Sequence, residues 1–81
     1  MKTFHLTIAK VGENLFDGEA ISASFPGIEG TFEVLADHEA FVSELAAGEA
    51  RVTAADTTQL RFSIPQGGIA EISRNQATVL L

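Results

Sequence analysis

The sequence predicts an all-β domain, a β-sandwich or barrel, and three observations carry that reading. Short runs of alternating apolar and polar residues recur at intervals of about 8–12 residues. Turn-forming residues separate them, and only one segment carries helical periodicity. The 81 residues hold no internal repeat, low-complexity tract or linker, so residues 1–81 are read as a single domain.

The first run, residues 3–9, places Phe4, Leu6 and Ile8 on one side and Thr3, His5 and Thr7 on the other, the period of two of a half-buried strand. Similar runs follow at 20–25, 31–35, 49–54, 60–64, 69–72 and 77–81. Between them lie turn signals: Gly12-Glu13-Asn14, Asp17-Gly18, Pro26-Gly27, Asp56-Thr57-Thr58, Pro65-Gln66-Gly67-Gly68 and Ser73-Arg74-Asn75. Residues 37–48 dissent. Asp37 suits a helix N-cap, Phe41, Val42 and Leu45 share a helical face, and Gly48 suits the position after a C-cap. Helix propensity is a weak prior that tertiary context overrides, and extended backbone is favoured there. The phenylalanines Phe4, Phe16, Phe25, Phe32, Phe41 and Phe62 are read as core, with Phe16 or Phe41 at an apolar patch that a partner buries.

Composition excludes several functions. The formal net charge is −6, and the five basic residues Lys2, Lys10, Arg51, Arg61 and Arg74 are scattered. Nucleic-acid binding needs basic patches to neutralise phosphates, and an anionic membrane surface repels an acidic chain. No apolar run approaches the roughly 18–20 residues that span a bilayer. Met1-Lys2 leads into alternation and not into a signal-peptide core. With no cysteine, disulfides and thiolate metal sites are excluded. A domain this small buries only about 60–65% of the surface its unfolded chain exposes, so support from a partner is expected.

Few residues invite a chemical reading. His5 lies on the polar face of the first run, which suits a surface or hydrogen-bonded role. Asp37, His38 and Glu39 offer three ligand types, but consecutive residues point to opposite faces of a strand and fan about 100° apart in a helix. Convergence on a metal would make the chain a small metal-dependent enzyme; no metal or other cofactor is expected. Gly67-Gly68 lacks the following helix and Lys-Ser or Lys-Thr of a phosphate-binding loop and is read as a tight turn. No serine–histidine–carboxylate order stands out, so no catalytic residue is assigned.

A longer pattern runs along the chain. Phe16-Asp17-Gly18 precedes the loop Pro26-Gly27-Ile28-Glu29-Gly30, and Phe32 and Val34-Leu35 follow it. Then come His38, Leu45-Ala46-Ala47-Gly48 and Gly67-Gly68-Ile69-Ala70-Glu71-Ile72. In order and spacing, across essentially the whole chain, these resemble the N-terminal β-sandwich domain of the epsilon subunit of F-type ATP synthases. Three positions depart from the family pattern. Glu33 stands where glycine is usual, and Ala36 and Ala40 replace the two prolines flanking the histidine, which removes rigidity around His38.

The resemblance implies an antiparallel β-sandwich of about ten short strands. It also implies a non-catalytic rotor subunit of a proton- or sodium-translocating motor, at the cytoplasmic face of the cell membrane, peripheral and not inserted. It implies a gamma-subunit contact through His38, Phe41, Val42 and Ser43, and a c-ring contact through Glu29, Gly30 and Thr31. Family members commonly continue into a helical hairpin, whereas this sequence stops at Thr78-Val79-Leu80-Leu81. A naturally short subunit and a domain boundary read alike, and ATP sensing or inhibition by an extending helix is not carried over. The alternative is a free-standing β-sandwich adaptor outside the motor, for which Glu33, Ala36 and Ala40 leave room.

Overall fold

The computed structural model describes residues 1–81 and contains eight strands and no helix. They are β1 (Phe4–Lys10), β2 (Glu13–Gly27), β3 (Gly30–Leu35), β4 (Phe41–Glu44), β5 (Gly48–Ala54), β6 (Gln59–Ile64), β7 (Ile69–Ser73) and β8 (Gln76–Leu80). The hydrogen-bonded path runs β4-β7-β8-β1-β2-β5-β6, with β3 also on β2. Every pairing is antiparallel except β1 with β8. The path does not close on itself, and a single antiparallel bridge, Gly27 with Leu45, ties the β2–β3 hairpin to the end of β4.

The eight strands, against the ten expected, reflect mainly the behaviour of β2. The Asp17-Gly18 turn signal is not a turn, because β2 runs through it for 15 residues. Its first part pairs with β1, and its second part lies between β3 and β5. Two bulges make this possible. Register slips once between Ile8 and Ala9 of β1, opposite Leu15, and again between Ala20 and Ser22, at Ile21. An extra residue bends a strand and increases its twist. It also shifts the alternation by one, so the buried positions change from Ala20 to Ala23 and Phe25. One bent strand thereby serves both halves of the molecule.

The inner faces of both halves meet in one core. Phe4, Leu6, Ile8, Ala70, Ile72, Ala77 and Val79 come from the β4-β7-β8-β1 half. They pack with Ala23, Phe25, Val34, Ala50, Val52 and Ile64 from the other. No polar or charged residue is buried, so the interior is purely apolar.

Residues 37–48 are not helical: a turn at Ala36 and Asp37 leads into the extended β4, as favoured. Backbone pairing of β4 with β7 outcompetes the local helical preference: Phe41 lies opposite Ile72, and Glu44 opposite Ile69. Leu45 is fully buried, while Val42 is 65% exposed, an arrangement no single helical face gives. Leu45 N–H donates to the Gly68 carbonyl at 2.6 Å, and Gly67 N–H donates to the Leu45 carbonyl at 3.0 Å. Asp37, the candidate N-cap, instead has a left-handed backbone (φ 63°) and donates its N–H to Asn75 Oδ1 at 2.8 Å.

Candidate interaction site

Six of the seven predicted contact residues, all but His38, line one groove of about 360 Å³. One wall is the β2–β3 hairpin tip, with Glu29, Gly30 and Thr31. The other is β4, with Phe41, Val42 and Ser43. Three further lining residues, Ile28, Phe32 and Glu44, escaped the sequence reading. Phe32 was read as core, and it is only partly buried. Ile28 sits in a two-residue turn between the paired Gly27 and Gly30, where its side chain is half exposed. Glu44 carried no distinguishing signal.

The hairpin tip is locked to β4. Ile28 N–H donates to the Glu44 carbonyl at 3.1 Å, and Ala46 N–H donates to the Pro26 carbonyl at 2.8 Å. Glu44 lies opposite Ile69 at a position whose backbone groups turn away from β7, so its carbonyl meets the hairpin. Gly30 has φ of 129°, a conformation that suits glycine. Gly27 is required for space: a Cβ there would stand 2.7 Å from the Gly30 carbonyl oxygen and 3.1 Å from the Phe32 ring.

A chain of aromatic rings forms the floor. Buried Phe25 lies 5.7 Å from Phe32, and Phe32 lies 5.0 Å from Phe41 in an edge-to-face contact. His38 continues the chain outward, 6.0 Å from Phe41. Its Nδ1 is 2.7 Å from the Glu39 carbonyl oxygen and donates to it. His38 supports the β4 wall through Phe41 and is not itself part of the lining. Phe41, read as core, is instead 38% exposed, because β4 lies at the end of the strand path, whereas Phe16 packs edge-to-face on Phe62 at 6.3 Å. Asp37 is paired with Lys2 Nζ at 3.1 Å. Asp37 thus engages Lys2 and His38 the Glu39 backbone, and no group of three such side chains is arranged to hold a metal.

The groove is acidic without compensation. Neither Glu29 nor Glu44 takes part in an ion pair; the pairs join Lys2–Asp37, Lys10–Glu13, Arg51–Glu49 and His5 with Asp17 and Glu19. His5 occupies the outer face of β1 and bridges two carboxylates on β2. Its Nε2 lies 2.7 Å from Asp17 and its Nδ1 3.1 Å from Glu19. The hydrogen bond to Asp17, then that to Glu19, raises its pKa above the ordinary 6.5. Glu19 is lowered, first by the Thr3 hydroxyl that donates to it at 2.8 Å and then by His5. This histidine is thus a structural cross-strand clamp, the role its polar face suggested.

Comparison with known proteins accords with this architecture. Residues 3–81 match the family model described as ATP synthase, Delta/Epsilon chain, beta-sandwich domain. The chain is 42% identical over 80 residues to the ATP synthase epsilon chain of Bradyrhizobium sp. (strain BTAi1), covering 99% of this chain and 58% of that protein. It is 33% identical over 79 residues to the epsilon chain of Chlorobium limicola, covering 98% of this chain and 89% of that one. The chain thus spans little more than half the length of some relatives and most of others. Among solved structures, a chain of the Euglena gracilis mitochondrial ATP synthase (OSCP/F1/c-ring) superposes with a TM-score of 0.88 at 24% identity, over 96% of this chain and 49% of that one. A chain of the Tetrahymena thermophila mitochondrial ATP synthase central stalk and c-ring gives 0.78 at 15% identity, over 98% and 63%. A single β-sandwich core, the glycine-hinged hairpin and an end-to-end family match lead to one conclusion: this chain belongs to the delta/epsilon-chain β-sandwich family of ATP synthases.

Proposed function

We propose that the protein is a non-catalytic central-stalk subunit of an F-type ATP synthase, binding the gamma subunit and helping to couple it to the c-ring. Chemistry then belongs to other subunits, and this chain supplies a stiff seat at the cytoplasmic face of the cell membrane without entering it. No helix is long and apolar enough to cross a membrane. Two kinds of support favour the reading: the relatives are ATP synthase epsilon chains, and the β4 wall offers unpartnered apolar surface in Phe41 and Val42.

In this reading Phe41, Val42 and Ser43, steadied by His38, face gamma, while Glu29, Gly30 and Thr31 form the rim nearer the c-ring. The single observation that carries the reading is that residues of both sets line one groove, which suits a subunit held between two partners. Co-expression with gamma and the c-ring tests it. Val42→Lys with His38→Trp is expected to reduce gamma capture at least tenfold, because interface energy concentrates in a few anchors. Thr31→Lys is expected to weaken retention on the c-ring while leaving gamma capture largely intact. Wild-type assembly by both variants overturns the proposal.

A further inference from the structure

We infer that the groove between the β2–β3 hairpin and β4 is a socket for an arginine side chain presented by the gamma subunit. The identity of the partner rests on the central-stalk reading; the chemistry of the socket does not.

The socket combines an aromatic floor with an acidic rim. Phe32 and Phe41 meet at 5.0 Å with their planes 65° apart, which forms a corner. Phe41 keeps part of its ring surface open. Ile28 and Val42 extend the apolar walls, and Glu29 and Glu44 stand at the edge. A guanidinium fits this combination better than any other side chain. It stacks on an aromatic face, its flat fork matches carboxylate oxygens, and it sheds water more readily than an ammonium. Its apolar stem lies along the walls while its charge meets the rim. The volume of about 360 Å³ suits one long side chain and not a folded element.

Nothing within the chain serves as that cation. Lys2, Lys10 and Arg51 are committed to Asp37, Glu13 and Glu49. Arg61 sits on the β5–β6 face and Arg74 beside the β7–β8 turn. The two rim carboxylates are therefore neutralised from outside. Gamma is the source because β4, which supplies Phe41, Val42 and Glu44, is the wall assigned to it. Glu29 then turns its carboxylate into the socket, and Gly30 and Thr31 remain toward the rotor.

The test is an amide NMR titration of the 81-residue chain with N-acetyl-arginine methylamide. The uncharged citrulline analogue and N-acetyl-lysine methylamide serve as comparators. Saturable shifts confined to residues 28–32 and 41–44 are expected, with arginine binding more tightly than lysine and citrulline weakest. Exposed ion pairs change affinity by about 1.5- to fivefold each, so Glu29→Gln with Glu44→Gln should weaken arginine binding roughly two- to twenty-five-fold. The double variant should melt as the wild type does, since both residues are exposed. Equal affinity for citrulline, or shifts spread over all the carboxylates, overturns the socket.

The partner is tested separately, by replacing the surface arginines of gamma one at a time. One replacement should reduce capture, and its effect should shrink in the Glu29→Gln, Glu44→Gln background. If no replacement does so, the assignment to gamma falls. Arginine binding in the titration alongside a failure of wild-type gamma capture would instead refute the central-stalk reading and leave the socket standing.

Discussion

Gly27→Ala tests the hinge on which the groove depends. The added methyl would stand 2.7 Å from the Gly30 carbonyl oxygen, about 0.7 Å inside the 3.4 Å at which ordinary contacts begin, and 3.1 Å from Phe32. The obstructing oxygen belongs to the backbone of the same two-residue hairpin, so no side-chain rotation relieves the contact. Either the hairpin opens or its paired strands shift, and Phe32 moves with them. Overpacking of this kind costs about 1–3 kcal/mol. Gly18→Ala is the internal control. Gly18 also lies within β2, but its nearest neighbour would be Phe16 at 3.8 Å, and alanine in a strand gains about 0.5–1 kcal/mol over glycine. Urea unfolding followed by far-ultraviolet circular dichroism should place the Gly27→Ala midpoint below wild type and the Gly18→Ala midpoint at or above it. Equal midpoints for the two variants would refute the steric argument.

Three further outcomes are expected. Leu45→Ala removes a fully buried side chain that anchors β4 and should cost about 2–5 kcal/mol, read as a lower thermal midpoint. Asn75 has φ of 60°, accepts the Asp37 N–H at 2.8 Å and donates from Nδ2 to the Thr3 carbonyl at 2.9 Å. Asn75→Gly loses the hydrogen bonds but keeps the left-handed conformation. Asn75→Ala loses both and should be the less stable in chemical denaturation by about 1–2 kcal/mol. For His5, an NMR pH titration of the ring should give a midpoint above 6.5 that falls on Asp17→Asn. Because the folded value is the higher one, its small stabilising contribution is fully present below the unfolded value and disappears as pH rises through the folded value. A wild-type denaturation midpoint that rose across that same window because of His5 would contradict the sign.

Strand content was legible because alternation survives wherever a strand has one wet face. Residues 3–9 and 69–72 showed their buried set directly. The route of β2 was hidden because each bulge resets the alternation, so Leu15 and Ile21 break the pattern where the strand in fact continues. Gly18 then read as punctuation when it lies mid-strand. The short β4 was obscured for a different reason: its local sequence favours a helix, and only backbone pairing with β7, which follows it by some 25 residues, decides the matter. At the site, the two contact segments were named from resemblance, but their adjacency depends on the Ile28–Glu44 and Ala46–Pro26 hydrogen bonds, which no local pattern encodes.

The bent β2 also has a mechanical consequence. Because one continuous backbone belongs to both halves of the domain, a sideways pull on the hairpin is carried by covalent bonds to the face that bears His5, without sliding one layer over the other. Pulled apart from its ends in a single-molecule experiment, the domain should yield in one rupture.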